Sequence, residues 1–310
     1  MNGDRPVLGI LLMLGFCVLA PLGDAVAKLL GQSMPLGQLL LVRFAVQAAL
    51  LIPLVAATGR LWRMRGRLLR LAALRTALHI GGIACMFTAL KYLPLADAVA
   101  IAFVMPFIML LLGKFVLNEE VGSRRLAACV VGFVGTLMVI QPSFAEVGLP
   151  ALFPLGVAVL FSLFMLVTRQ LAKDTDPIGL QAVSGVMATV VLLPVMFLGH
   201  AAGIELLSFR MPDNGDWILL AAIGAVGTAA HLVMTWSLRY APAATLAPMQ
   251  YLEIPVATGF GWLIFHDLPD GLAGAGICVT VAAGLYIVMR ERALARSLAR
   301  AQTPPGQAPV

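Results

Sequence analysis

The chain is 310 residues long, 61% hydrophobic and only 12% charged, with a formal net charge of +6 and a mean hydropathy of +0.97. Soluble domains carry about 45–50% apolar and about 25% charged residues, so this balance excludes a soluble enzyme and points to an integral membrane protein. The net positive charge does not indicate a nucleic-acid partner. Its arginines lie in loops between apolar runs, where membrane topology accounts for them.

Ten apolar runs follow one another at 7–29, 35–57, 69–91, 94–116, 124–140, 149–171, 177–199, 216–238, 242–265 and 271–289. Each is near the ~17–25 residues with which a helix crosses a bilayer. None alternates polar and apolar residues as barrel strands do, so all ten are predicted helices and the fold is all-α. The first run has no small-residue cleavage site and reads as a first helix rather than a signal peptide. Cys17, Cys85, Cys129 and Cys278 fall inside the runs without pairing or metal spacing, and read as small apolar residues. Links as short as 31–34 and Leu93 make neighbouring helices antiparallel. From Arg290 the chain is basic and then Pro/Gln-rich, and is expected to fray.

Charge orients the ten spans. With the N-terminus inside, sixteen of the 21 lysines and arginines fall on the inner side, among them the Arg60–Arg70 cluster. Lys28, Lys91 and Arg210 fall outside, while Arg43 and Arg75 lie within spans. Both termini are expected to be cytoplasmic.

The stretch from Ala89 to Gln141 returns 148 residues later as Ser237 to Met289. Lys91-Tyr92 answers Arg239-Tyr240, Pro94 answers Pro242, Gly113 answers Gly261, and Glu119 answers Asp267; Pro106 and Pro255 are one residue out of step. Pro35-Leu36-Gly37 and Pro177-Ile178-Gly179 open the second and seventh spans alike. The chain therefore divides into a first repeat, 1–146, a second, 147–290, and a basic tail, 291–310. An odd number of spans per repeat turns the second upside down. Inverted repeats place a solute cavity between the halves near the bilayer midplane and permit alternating access. In spans five and ten, Ala128, Gly132 and Thr136 recur as Gly276, Thr280 and Gly284, a small-residue spacing that lets helices pack closely.

A charge inside a span is costly and is usually kept for a pathway or an internal partner. Glu253 lies near the middle of span nine, with Gln250 one turn before it and Pro255 just after, which frees a backbone carbonyl beside Tyr251. These three residues are the leading candidates for solute binding or coupling. Asp24 and Lys28 in span one, Arg43 in span two and Asp97 in span four belong to the outer third. They suit an outer gate or anion-attracting vestibule on one reading, and a structural ion-pair cluster on the other. His79 and His231 are candidate proton relays or neutral packed side chains. Trp236 and Tyr251 offer rings to stack on a flat solute, or simply pack. The Glu119-Glu120 and Arg124-Arg125 turn reads as cytoplasmic ion pairs rather than a metal or phosphate site.

At these residues a resemblance appears. ALKYLPLADAVAIAFVMPF, followed by LNEEVGSRRLAACVVGFVGTLMVIQP, resembles the first repeat of EamA-type carriers of the drug/metabolite transporter superfamily. Gly23 to Phe44 is similar to a bacterial branch with an acid and a lysine ending helix one and an arginine in helix two. That branch includes carriers proposed for riboflavin and S-adenosylmethionine. The glutamate usual after helix nine is Asp267 here. The resemblance implies a ten-helix inner-membrane metabolite carrier.

No Walker loop, nucleophile elbow or His/Cys ligand set occurs, so neither an ATP-driven pump nor a cofactor enzyme is expected. A membrane-embedded lipid-modifying enzyme would lack its catalytic constellation and leave the repeat unexplained. A secondary transporter fits both. On resemblance its cargo is an aromatic vitamin-like solute such as riboflavin, taken up; S-adenosylmethionine uptake and amino-acid or drug export are alternatives. The expected partners are that solute, the lipid bilayer and protons as a coupling ion.

Overall fold

The computed structural model describes residues 5–60, 62–118 and 122–301. The ion pairs expected of Glu119-Glu120 lie outside these residues, as does the end of the tail. Among the described residues the regular structure is all helical, joined by irregular links. Its helices are α1 (Pro6–Leu30), α2 (Leu36–Thr58), α3 (Arg67–Ala89), α4 (Leu95–Ala102), α5 (Met105–Val116), α6 (Ser123–Val147), α7 (Phe153–Ala172), α8 (Pro177–Ala201), α9 (Asp216–Tyr240), α10 (Ala243–Leu246), α11 (Glu253–Phe260) and α12 (Gly271–Ala301). Since α4 continues into α5, and α10 into α11, twelve helices make ten passes, as the apolar runs predict. Among the described residues, seven passes are single stretches long and apolar enough to cross a membrane, and α6 and α12 contain shorter apolar cores, Leu126–Met138 and Gly271–Tyr286.

Local chemistry accounts for many of the ends. Pro6 and Pro177 open α1 and α8, where a preset φ and a missing N–H suit the first turn. Asp176 caps α8 by accepting from the N–H groups of Ile178 (3.1 Å) and Gly179 (3.0 Å). Gly59 ends α2 with φ 60°, a conformation that glycine adopts freely. The tail departs from expectation. It remains helical to Ala301 instead of fraying at Arg290, because ERALARSLARA is rich in good helix formers.

The two halves correspond helix for helix, α1 to α7 through α6 to α12, and their packing respects that correspondence. The helix α1 lies against α9 as α7 lies against α3, while α2 pairs with α8, α4 with α11 and α6 with α12. The four most extensive helix contacts thus join one half to the other. Five passes per half reverse the direction of the second, so the relation is an inverted one.

The fourth and ninth passes are broken at corresponding places. Between α4 and α5 the chain bends at Phe103 and Val104, just before Pro106. Between α10 and α11 it tightens into a 3-10 turn, Ala247–Leu252, and Pro255 falls in the first turn of α11, where its missing N–H leaves no bond unmade. Both passes then end on a left-handed residue, Asn118 (φ 52°) and His266 (φ 59°), the only non-glycine residues with positive φ among those described. These two positions are 148 residues apart, the offset of the duplication.

The small-residue stripes do pack. A Cβ on Gly135 of α6 would strike the Gly276 carbonyl and Thr280 of α12, and one on Gly132 would strike the Tyr251 ring. Thr136 and Thr280 are fully buried there, each hydroxyl donating to the carbonyl four residues before it. Gly135→Leu should therefore force the helices apart, costing about 1–3 kcal/mol. The expected result is a clearly lowered melting temperature in detergent. An unchanged melt would mean that these helices do not touch at Gly135.

Candidate functional site

One face of the bundle carries the start of α1 and the links at 59–66, 173–176 and 241–242; the opposite face carries those at 31–35, 90–94, 202–215 and 266–270. A cavity of about 80 Å³ lies between the two halves, in the half of the bundle nearer that opposite face. Phe16, Phe87, Phe103 and Phe161 wall it, and Asp24, Arg43, His231 and Glu253 bring polar groups to it. Toward the face of the α1 start it is closed by a tightly packed cluster that includes Met13, Met105, Met109, Met165, Met234 and Met249. Unbranched methionine fills irregular gaps and repacks readily.

The glycines of α9 make the polar wall possible. A Cβ on Gly224 would overlap Val46, and one on Gly227 would lie 2.9 Å from the Arg43 guanidinium carbon, so α2 and α9 approach closely only because both residues are glycine. Arg43 fills the gap. It donates to the Gln47 side-chain oxygen (3.1 Å) and the Gly227 carbonyl (3.1 Å), and one of its nitrogens lies 2.9 Å from His231 Nδ1. Gln47 in turn donates to the Gln181 carbonyl (2.7 Å).

Arg75 of α3 is completely buried and joins the halves below the cavity. Its guanidinium donates to Thr168 Oγ1 (2.8 Å) on α7 and to Ser184 Oγ (2.8 Å) and Gln181 Oε1 (3.2 Å) on α8, and it lies over the Phe164 ring at 4.6 Å. One turn along, His79 stacks on Phe164 with centroids 4.5 Å apart and meets His231 at 4.2 Å. Both ring nitrogens of His79, and Nε2 of His231, are buried without a hydrogen-bond partner.

The sequence candidates divide into those that share the cavity and those that do not. Asp24, Arg43, His231 and Glu253 line it, and Glu253 Oε1 is buried with no partner. Asp24 and Arg43 face the same space without an ion pair within 4.0 Å. Lys28 is paired elsewhere, with Asp267 Oδ2 (3.5 Å) and the Leu93 carbonyl (2.8 Å), and it sits over the Phe265 ring. Asp97 lies within electrostatic range of Lys28. Gln250 donates to Met165 Sδ (3.1 Å) and turns away from the cavity. Tyr251 is fully buried against Gly132 and donates to the Cys129 carbonyl (3.2 Å). Trp236 packs with Leu51, Val55, Ile178 and Ala182 between α2, α8 and α9, apart from the other candidates.

Several participants were not among the sequence candidates. Gln181 and Ser184, almost one turn apart in an apolar span, are the polar pair that Arg75 requires, and their spacing is a usable signal. Asp267 as the partner of Lys28 and the phenylalanines around the histidines carry no such signal, because aromatic residues are common throughout membrane helices.

The profile of the EamA-like transporter family matches residues 7–141 and again 148–290. A riboflavin transporter of Brucella anthropi is 27% identical over 256 residues, covering 82% of this chain and 88% of that protein. An S-adenosylmethionine uptake transporter of Rickettsia prowazekii is 23% identical over 275 residues, covering 89% and 90% respectively. The pseudopaline exporter CntI of Pseudomonas aeruginosa is 27% identical over 277 residues, covering 88% and 91%. A solved crystal structure superposes with a TM-score of 0.71 at 18% identity, covering 91% of this chain and 96% of that one, and shows the same fold.

Arg75→Lys tests the bridge between the halves. A single ammonium cannot reach acceptors on two helices as a planar fork does, and buried acceptors left without a donor are costly. Thermal unfolding in detergent should show a loss of about 1.5–3 kcal/mol. A variant that melts like the parent would remove Arg75 from its organising role.

Proposed function

The chain belongs to the EamA-like transporter family, and we propose that it is a secondary carrier for uptake of an aromatic, vitamin-like solute such as riboflavin across the bacterial inner membrane. The observation that carries this reading is the cavity, set between two inverted halves, walled by phenylalanines and provided with a few buried polar groups. Flat rings stack favourably on such walls. Relatives named as riboflavin transporters support the choice of solute. At about 80 Å³ the cavity is smaller than the ~300–1,000 Å³ of typical ligand sites. Loading therefore requires the repeats, 1–146 and 147–290, to move against each other, with the methionine cluster as the part that repacks. A second reading, uptake of S-adenosylmethionine, is favoured by Asp24 and Glu253, since a sulfonium cation needs anions nearby.

Glu253 is the group assigned to coupling. It is ionisable, stands at mid-membrane beside a broken helix, lines the cavity, and has a buried oxygen without a hydrogen-bond partner. Asp24, Arg43, Lys28 and Asp97 form the periplasmic approach, and the face with the α1 start is cytoplasmic, as are both termini and the tail, 291–310. The charge bias supports that orientation.

Proteoliposomes test the solute. Riboflavin should accumulate and S-adenosylmethionine should not compete; the opposite result would favour the second reading. Glu253→Gln should fold normally yet lose the pH dependence of net uptake, and a wild-type rate with a wild-type pH profile would make Glu253 structural. Topology is checked separately. Single cysteines at Thr58 and Ala202, in a background without the native four, should label oppositely with an impermeant reagent. Equal labelling from outside would reject the orientation.

A further inference from the structure

Two carboxyls and one guanidinium border the same cavity, each from a different helix: Asp24 from α1, Arg43 from α2 and Glu253 from α11. The register of α1 against the ninth pass brings the two acids together. These passes run parallel, with the Arg5 N–H donating to the Tyr240 carbonyl (2.7 Å) at one face and Lys28 paired with Asp267 at the other. Between those ends, Cys17 Sγ donates to the Met249 carbonyl (3.6 Å). Four residues after Met249 the chain reaches Glu253, and seven after Cys17, on the same face of α1, it reaches Asp24. At ~1.5 Å per α-helical residue and ~2.0 Å in a 3-10 turn, the two acids start from levels less than one helical turn apart. Glu253 accordingly lies within electrostatic range of Asp24, and Asp24 within range of Arg43.

Arginine keeps its proton, so the cavity always holds one positive charge. One carboxylate balances it. A second would leave an uncompensated negative charge inside the membrane, and carboxylates that share a site do not readily both ionise. The surrounding groups leave that count unchanged. Arg75 does not border the cavity and bonds neutral oxygens. His79 and His231 stand between the two arginines, where a further positive charge is disfavoured. Cys17 is bonded to Met249, and Asp97 and Asp267 attend Lys28 at the rim. We infer that Asp24 and Glu253 hold a single proton between them, with Arg43 as their fixed counter-charge, and that coupling belongs to the pair rather than to Glu253 alone. Asp24 is then a second coupling residue and, being only partly buried, the carboxyl that an incoming solute meets first. A neutral solute leaves the proton in place and crosses with it. A solute with a permanent cation takes the second carboxylate as its partner and releases the proton to water. The coupling rests on the transport reading, whereas the shared proton is a property of the empty protein.

Infrared spectroscopy of the purified full-length protein reads the pair without any solute. At neutral pH the parent should show the band of a protonated carboxyl held out of water, shifted by deuterium oxide. Asp24→Asn and Glu253→Gln should each abolish that band, because the acid that remains ionises against Arg43, while Asp24→Glu should keep it. A parent without the band would mean that both acids are ionised. A band that survives either neutral substitution would fix the proton on one residue. Each result overturns the inference. Titration of the parent needs no variant, so a substituted chain that fails to fold leaves the decision intact. The band should about double in acid and vanish in alkali, in two separate steps, as coupled groups titrate. Loss of both protons in one step would make the carboxyls independent. Uptake is scored separately. If the pair behaves as described and riboflavin does not accumulate in proteoliposomes, the riboflavin proposal falls and the shared proton stands. If riboflavin accumulates and one carboxyl alone accounts for the band, the shared proton falls and the riboflavin proposal stands.

Discussion

The structure depends on holding two guanidinium groups inside an apolar bundle without a carboxylate against either. A charged side chain at the centre of a membrane helix costs about 2.5–3.5 kcal/mol on insertion scales, and these two are buried almost completely. Neither has a carboxylate within 4.0 Å. Neutral groups carry the load instead, and all but Gln47, the neighbour of Arg43 on its own helix, come from the opposite half: Gly227 and the His231 ring for Arg43, and Thr168, Gln181 and Ser184 for Arg75. Because those acceptors belong to other helices, satisfying the arginines brings α2, α3, α7, α8 and α9 into register. The polar network and the packing of the halves are one arrangement.

That arrangement is symmetric in its frame and asymmetric in its chemistry. The helix pairs, the broken fourth and ninth passes and the left-handed ends at Asn118 and His266 all repeat. The polar residues do not. The position answering Arg43 is Gly185, which packs directly on Ala48, and the position answering His231 is Ile83. A duplicated scaffold needs its helix contacts in both halves, since each interface uses one member of each. A single solute site between the halves needs its ligands only once, so the second copy is free to become apolar. Hence the cavity lies toward one face, and the space related to it by the repeat is filled with methionine.

Lys28 illustrates how little sequence neighbourhood says about partners inside a bundle. Asp24, one turn away on the same helix, is the obvious candidate, yet Lys28 reaches the turn after α11 to meet Asp267. Asp24 is left facing the cavity. The pair spans the two halves at the rim and is partly exposed, so its worth to stability is small, on the order of 0–1 kcal/mol. It ties α1 to the end of the ninth pass.

The sequence alone determined the all-α membrane class, the number of passes, the short links, the duplication and the family resemblance. These properties depend on the length of apolar runs, on proline and glycine, and on recurrence along the chain, all of which are local. It also marked Glu253, Arg43, Asp24 and His231, because an ionisable or polar residue in an apolar run stands out wherever it points. Only the tertiary structure decided which of the marked residues share a cavity. Tyr251 and Gln250 lie within three residues of Glu253, yet the 3-10 turn rotates the Tyr251 ring onto Gly132 and carries Gln250 to Met165. Trp236 sits five residues from His231 on the same helix and faces a different interface. Direction within a bundle is set by helix rotation and by the small residues of the neighbouring helix. Those are relations between distant parts of the chain, and no local pattern contains them.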